Sequence, residues 1–387
     1  MANTQIYQVL EGRPYGRGIH GNATISGDPH VRRRGSASSG SKNLTLNASA
    51  YANGDLIIIH QTSGNMSVSN EDNWEINQID SGGGTVNIVL KNNTSRSYSN
   101  AQILDVKEYI NATINAFTIT AWQKANFYGG LIAIASLGVG TFAGLINGNG
   151  NNGGVSSADQ GGKPSAGGGF RGGGNSTDPS TAHKGEGWLN GDTPVVESQT
   201  TSDNGGGGGI NAGAGKNAGG GGGSKNSGSQ VGGNAGNAGN PAGNTTLTSL
   251  HLGGGGGGSH GVSGQNAGGG ANGGASAIFW IRVLKTTSGG IQVKGGLGGQ
   301  ADGDADGGSG AGGSILVNTE VADFGTNAWQ VTGGANATGN GDNSGSVGRM
   351  RINYGGKYSG SFSHTPSTAR DPKLVATKGG AFLYNMV

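Results

Sequence analysis

Cysteine is absent from this sequence of 387 residues, so the chain holds neither a disulfide nor a thiolate metal site. Proline occurs only 8 times, and charged residues make up 12% of the chain, about half the usual ~25%. The 24 basic and 22 acidic residues leave a net charge of +2. Because so small a charge creates no strong field, we expect neither a nucleic-acid partner nor insertion into a membrane.

Glycine is the residue in excess, with 87 copies. Collagen is excluded because it needs glycine at every third position together with abundant proline. Glycine adds no side chain to a hydrophobic core and loses the most backbone entropy on folding. A typical enzyme with several helices is therefore not expected, and the composition favours a protein that is not an enzyme.

Three local patterns bear on targeting and on the surface. The first residues have neither a basic nor an apolar region, so we expect no secretory signal. The uncharged stretch 131–146 is divided by glycines and is shorter than the ~20 residues of a membrane span. The only basic run, Arg32–Arg34, is interpreted as a solvated turn.

Composition divides the chain into five segments. Short runs of β-branched residues bounded by Gly, Asn, Asp or Ser predict strands on both sides of a region rich in Gly, Asn, Ser and Ala. The predicted segments are an extended N-terminal arm (1–40), a β domain (41–146), a polyglycine-helix region (147–275), β repeats with glycine tracts (276–365) and a C-terminal tail (366–387).

An internal repeat runs through this pattern. Each unit has a Gly-Gly pair, a strand, a turn, a second strand and a glycine tract. Units begin at Gly129, Gly273 and Gly312, with a partial copy from Val347. The spacing of the later units, roughly 39 residues, lies in the range typical of repeat arrays.

The glycine region has two interpretations. A Gly/Ser-rich chain ordinarily behaves as a flexible linker. Single apolar residues between the tracts favour order instead, as packed polyglycine helices with three residues per turn. The sequence therefore predicts an all-β protein: a β-sandwich or solenoid-like scaffold with an inserted polyglycine (type II) helix bundle.

Few residues carry recognisable chemistry. Asp302, Asp304 and Asp306 match the first half of a calcium loop, but Gly313 stands where its final glutamate belongs, so a solvated acidic turn stays open. Calcium is the only cofactor that the sequence indicates. Phe170 and Trp188 are candidate binding residues for a receptor or a neighbouring subunit. No catalytic residues are predicted.

Several segments carry a resemblance to a known family. They are 54–61, 74–79, 101–106, 169–173, 185–187, 253–258, 310–315 and 348–352. In this order they resemble a glycine-rich family of tailed-phage structural proteins and bacterial surface proteins. The tracts are also similar to phage tail-tip adhesins, in which bundled polyglycine helices present loops to a bacterial receptor.

The resemblance implies a non-enzymatic structural component of a phage virion, such as a tail fibre, spike or head fibre, that presents an adhesive surface to the host. It would be made in the host cytoplasm and assembled into the virion. Its partners would be other virion proteins, further copies of itself, and a host surface glycan or outer-membrane protein. The alternatives are a bacterial cell-surface filament or adhesin subunit, and a glycan-active enzyme on a β scaffold.

Overall fold

The computed structural model describes most of the chain. The described residues are 13–63, 73–157, 166–177, 181–188, 200–201, 203–209, 218–230, 235–261, 266–301, 306–335 and 343–375. Among them, 39% lie in strands and 2% in helical turns.

Ten strands precede residue 120. They are β1 (Ala23–Ile25), β2 (Arg32–Ala37), β3 (Asn43–Leu46), β4 (Leu56–His60), β5 (Trp74–Ser81), β6 (Asn87–Leu90), β7 (Tyr98–Asp105), β8 (Lys107–Tyr109), β9 (Ala112–Ile114) and β10 (Phe117–Thr118).

Twelve strands and two 3-10 turns follow. The strands are β11 (Leu131–Phe142), β12 (Leu145–Asn147), β13 (Val155–Ser156), β14 (Ser176–Thr177), β15 (His260–Gly261), β16 (Ala267–Gly268), β17 (Ser276–Thr286), β18 (Gly290–Gln292), β19 (Ser314–Thr326), β20 (Trp329–Gln330), β21 (Arg349–Ser361) and β22 (Ser367–Arg370). The turns are η1 (Lys124–Asn126) and η2 (Pro372–Leu374).

Six antiparallel strands close into a barrel in the order β2-β3-β6-β5-β4-β7. Strand β4 explains how the barrel is joined to the rest of the fold, because all five of its residues are buried. Ile57 and Ile59 point into the barrel. Leu56 and Ile58 point outward, into a second core shared with the neighbouring parallel sheet. Side chains alternate along a strand, so one wall of the barrel serves two cores.

The second part of the fold consists of two parallel sheets. The larger follows the order β1-β9-β11-β17-β19-β21-β22, with β8 also paired to β11, and the smaller follows β10-β12-β18-β20. Their shared core includes Phe142, Phe279, Phe324 and Trp329. The ring of Trp329 lies 4.8 Å from that of Phe142 and 5.0 Å from that of Phe324, both in edge-on geometry.

The repeat units of the sequence are neighbours in these sheets. Leu131 pairs with Ser276, Ser276 with Ser314, and Ser314 with Arg349. The second strands of the units pair in the same order within the smaller sheet. Corresponding residues of successive units therefore stack directly on one another.

The apolar stretch from residue 131 lies in β11, in the middle of the larger sheet. Ile132 and Ile134 enter the core between the sheets, whereas Leu131 and Ala133 enter the core against the barrel. Burial on both faces explains an uninterrupted apolar strand. In the described part of the chain, no helix is long and apolar enough to cross a membrane.

The glycine run 253–258 is surrounded by other chain segments. Its six N–H groups donate in pairs three residues apart: Gly253 and Gly256 to the carbonyls of Gly274 and Ala271, Gly254 and Gly257 to those of Gly223 and Gly220, Gly255 and Gly258 to those of Glu186 and His183. Its carbonyls accept from three further segments, at Phe170 and Gly173, Ala311 and Gly308, and Gly206 and Gly209. We call these segments together the glycine layer.

Side chains are excluded from the glycine layer by the closeness of its backbones. A Cβ atom on Gly256 would lie 1.9 Å from the carbonyl oxygen of Gly308, and one on Gly254 would lie 1.8 Å from that of Asn204. Both distances are far inside van der Waals contact. Only glycine allows backbones to approach this closely.

The predicted fold class is wrong. The described residues form a closed barrel and parallel sheets, not a β-sandwich or solenoid-like scaffold with an inserted polyglycine helix bundle, and they contain no helix bundle. The sequence was misleading because a glycine tract has no side-chain pattern that reports its partners. Those partners lie up to 84 positions away, as for Phe170 and Gly253 at residues 170 and 253, and only the assembled fold defines them.

The N-terminal region also differs from its interpretation as an arm with a solvated basic turn. Strands β1 and β2 both lie before residue 40, and β1 pairs with β9 whereas β2 pairs with β3 and β7. Arg32, in β2, is buried, and its Nη2 atom donates to Asp28 Oδ2 at 2.7 Å and to the Leu131 carbonyl at 2.8 Å. The guanidinium thus joins the barrel to the larger sheet.

Candidate functional site

Only one residue of the predicted calcium loop lies in the described structure. Asp302 and Asp304 lie outside the described residues. Asp306 is buried, and its Oδ1 atom accepts a hydrogen bond from the Ala301 N–H at 2.9 Å. Within the described ranges, no group of three or more His, Asp or Glu residues is placed to hold a metal ion. The calcium site therefore stays a prediction.

The two aromatic candidates lie in the interior. Phe170 is fully buried and packs edge-on against Trp122, with ring centroids 5.9 Å apart. Trp188 is 4% exposed, and its ring lies 5.2 Å from that of His251. Both belong to one hydrophobic cluster with Leu252. In this arrangement they fix segments of the glycine layer and present no surface to a partner.

Two charged residues lie inside the glycine layer. Glu186 is buried, and its Oε2 atom accepts hydrogen bonds from the Arg171 backbone N–H at 3.1 Å and from Arg171 Nε at 3.2 Å. The Glu186 N–H donates in turn to the Arg171 carbonyl at 2.8 Å. The two segments are therefore joined through both main chain and side chain, which gives Glu186 a structural contact.

A buried polar junction joins the barrel to the glycine layer. His60 Nε2 and Asn73 Nδ2 lie 2.8 Å and 2.7 Å from the Leu250 carbonyl oxygen, and the Leu250 N–H donates to Asn73 Oδ1 at 2.8 Å. Trp74 Nε1 donates to the Leu247 carbonyl at 3.1 Å. Three side chains from the barrel thus satisfy the backbone of the segment that leads into the glycine run.

His251 lies on the other side of this junction. Its carbonyl accepts hydrogen bonds from the hydroxyls of Ser276 and Ser314 at 2.9 and 3.0 Å, and its Nε2 lies 3.0 Å from Ser249 Oγ. Burial lowers the pKa of His251 to about 3, with smaller contributions from the nearby charges of His60 and Arg349. Burial likewise lowers the pKa of His60 to about 4. Both imidazoles are neutral at neutral pH.

The structure contains a surface pocket that sequence reasoning missed. It has a volume of about 290 Å³ and lies where the segment after the run 219–223 meets β21 and β22. Three basic side chains line it: Lys225, Arg349 and His364. We call it the cationic pocket. Its lining residues are far apart in the sequence and form no motif, so only the fold brings them together.

Hydrogen bonds fix the walls of the cationic pocket. Arg349 Nε donates to the Ala242 carbonyl at 3.0 Å, and its Nη2 donates to the carbonyl of Lys225 at 3.3 Å. The hydroxyl of Ser367 donates to the Thr245 carbonyl at 2.7 Å. Strands β21 and β22 therefore hold the loop that carries Lys225 against the sheet.

Positive charge dominates this pocket. Among the described ion pairs, no carboxylate contacts Lys225 or Arg349. The pKa of His364 is lowered, first by burial and then by the charge of Lys225. The ammonium of Lys225 therefore lies close enough to act on the imidazole. An anion is the complement that this arrangement lacks.

Comparison with known proteins gives little. No protein-family model matches the chain, and no curated protein matches it. Among solved structures, the chain is similar to the Gp54 tailspike of Acinetobacter baumannii bacteriophage AP22, determined in complex with A. baumannii capsular saccharide. The identity is 13% and the TM-score 0.20, over 90% of this chain and 58% of the tailspike chain. This chain thus spans less than two thirds of the tailspike's length, and so low a TM-score defines no shared fold.

Proposed function

We propose that this protein is a non-enzymatic structural component of a phage virion, a fibre or spike part that presents an adhesive surface to the host. The observation that carries the proposal is the run 253–258, whose N–H and C=O groups are bonded to six surrounding segments. Backbone held in this way opens rarely, and proteases cut segments that open. Resistance of this kind suits a protein that works outside the cell.

The other elements of the fold support the same role. The barrel and the stacked parallel strands hold the ends of the glycine segments through contacts such as His60 with Leu250. A rigid body of this kind gives surface loops fixed positions. Repeated rigid contacts to a host surface lose little entropy on binding, which favours adhesion. Membership of the glycine-rich phage family stays a prediction from the sequence.

The test is made on particles. Antibodies against the purified chain should label intact phage particles in electron micrographs, and mass spectrometry of purified particles should detect the protein. The purified chain should also reduce phage adsorption to host cells. Absence from particles combined with labelling of a bacterial surface would support the cell-surface filament instead, and release of reducing sugar from host polysaccharide would contradict the non-enzymatic role.

A further inference from the structure

We propose that the cationic pocket binds the carboxylate of an acidic saccharide, a hexuronate unit of a host surface polysaccharide. This inference rests on the adhesive function proposed above and names the ligand class. Charge, donor geometry and the chemistry of the pocket walls each support it.

The charge argument starts from Lys225 and Arg349. Like charges close together raise the energy of the unliganded pocket, and a bound anion relieves that repulsion. In the described structure neither cation has a carboxylate partner. The nearby His364 has a buried Nδ1 atom without a hydrogen bond there. A ligand that supplies negative oxygen atoms satisfies these groups together.

Arg349 is already held in place. Its Nε and Nη2 atoms donate to carbonyl oxygens of Ala242, Ser224 and Lys225 at 3.0 to 3.5 Å. These bonds use one side of the guanidinium, and Nη1 forms none within the described residues. Arginine matches carboxylate oxygens in geometry, and a donor fixed beforehand loses little entropy on binding.

The remaining walls favour a sugar over a bare ion. Hydroxyl groups of Thr245, Thr365 and Ser367 line the pocket and match sugar hydroxyls. Apolar surface comes from Met350 and Pro366, and small-molecule sites combine such surface with a few polar groups. The volume of about 290 Å³ is near the lower end of the ~300–1,000 Å³ of such sites, which suits a single ring.

Calorimetric titration of the full chain with glucuronic acid tests the proposal, with glucose as the neutral match. We expect binding of glucuronic acid and no binding of glucose at the same concentrations. Lys225→Glu should weaken the binding of glucuronic acid by about tenfold or more, since loss of one charged contact has this size. Lys225 is exposed, so the variant should retain the melting temperature of the parent.

Lys285→Glu is the matched control, because Lys285 is exposed on β17 and does not line the pocket. It should bind glucuronic acid as the parent does. Equal binding of glucose, or equal weakening by both variants, overturns the proposal. Competition with inorganic phosphate tests the ligand class: phosphate that binds as tightly as glucuronic acid overturns a saccharide site.

The pocket and the virion role fail separately. A protein found on particles that binds no glucuronic acid removes the pocket ligand and leaves the structural role intact. A protein that binds glucuronic acid but is absent from particles keeps the pocket and removes the virion role.

Discussion

The Nε2 atom of His60 lies 2.8 Å from the carbonyl oxygen of Leu250, 190 positions further along the chain. This contact joins the barrel to the segment that enters the glycine run. His60 is completely buried, and its ring also contacts Thr62 Oγ1 through Nδ1 at 2.6 Å. The junction therefore depends on an imidazole that stays uncharged.

Acid should weaken this junction. The pKa of His60 is lowered by burial from 6.5 to about 4, so the unfolded chain binds a proton more readily than the folded one. The stabilisation is complete above about pH 6.5 and is lost as the pH falls towards about 4, by roughly 3 kcal/mol. Chemical denaturation across this range should show the loss, and His60→Gln should reduce it.

Two comparisons make the acid experiment specific. His20 is exposed, so His20→Gln should keep the pH dependence of the parent. Asp203, whose pKa burial raises to about 6, acts in the opposite sense in the same range. The difference between parent and His60→Gln removes this background. An equal slope in both proteins would contradict the assignment to His60.

Gly256→Ala should prevent folding or lower the free energy of unfolding by more than about 3 kcal/mol, since overpacking that the backbone cannot relieve has costs of this size. The reason is the carbonyl oxygen of Gly308, 1.9 Å from the new Cβ atom. Gly27→Ala is the control, because its Cβ meets nothing within 4 Å. Thermal melts of both variants make the comparison, and tolerance of Gly256→Ala would show that the layer is looser than described.

Phe170→Ala separates a packing role from a binding role. Phe170 is fully buried against Trp122, so truncation should cost about 3–5 kcal/mol of stability. Phe170→Leu, which retains most of the volume, should cost less. A variant that melts like the parent but adsorbs poorly to host cells would support the receptor contact predicted from the sequence.

Calcium is tested through stability, because a ligand of the folded state raises the melting temperature as its concentration increases. If the pattern Asp302–Asp306 binds calcium, added calcium should stabilise the chain by about 2.7 kcal/mol at 100 times the dissociation constant. Magnesium should act weakly, since it demands a stricter geometry. Asp304→Asn should lower the response, and an unchanged melting temperature in calcium would count against a site.

The strands of the repeat could be located from the sequence, and the barrel could not. Gly-Gly pairs followed by apolar runs recur before Leu131, Ser276 and Ser314, and these residues pair directly in the larger sheet. Such a pattern is local, so a single sequence displays it. Closure of the barrel depends on the pairing of Arg32 with Leu104, which no local signal indicates.

The basic run and the aromatic residues failed for a related reason. Arg32 was interpreted as solvated because charge usually faces water, whereas Asp28 and the Leu131 carbonyl satisfy it inside the fold. Phe170 and Trp188, isolated among glycines, suggested exposed contacts, and the structure places both in one cluster. In each case the deciding partner lies on a distant segment or in a buried turn that composition does not reveal.

The position of the run 253–258 at the centre of its neighbours also imposes an order on synthesis. The barrel lies within residues 32–105 and can close as soon as that length has left the ribosome. The glycine run receives its last partners only when Gly308 and Ala311 have been made. Such distant pairings form slowly, so the barrel matures first and the glycine-rich segments wait, unpaired, for the chain to be nearly finished.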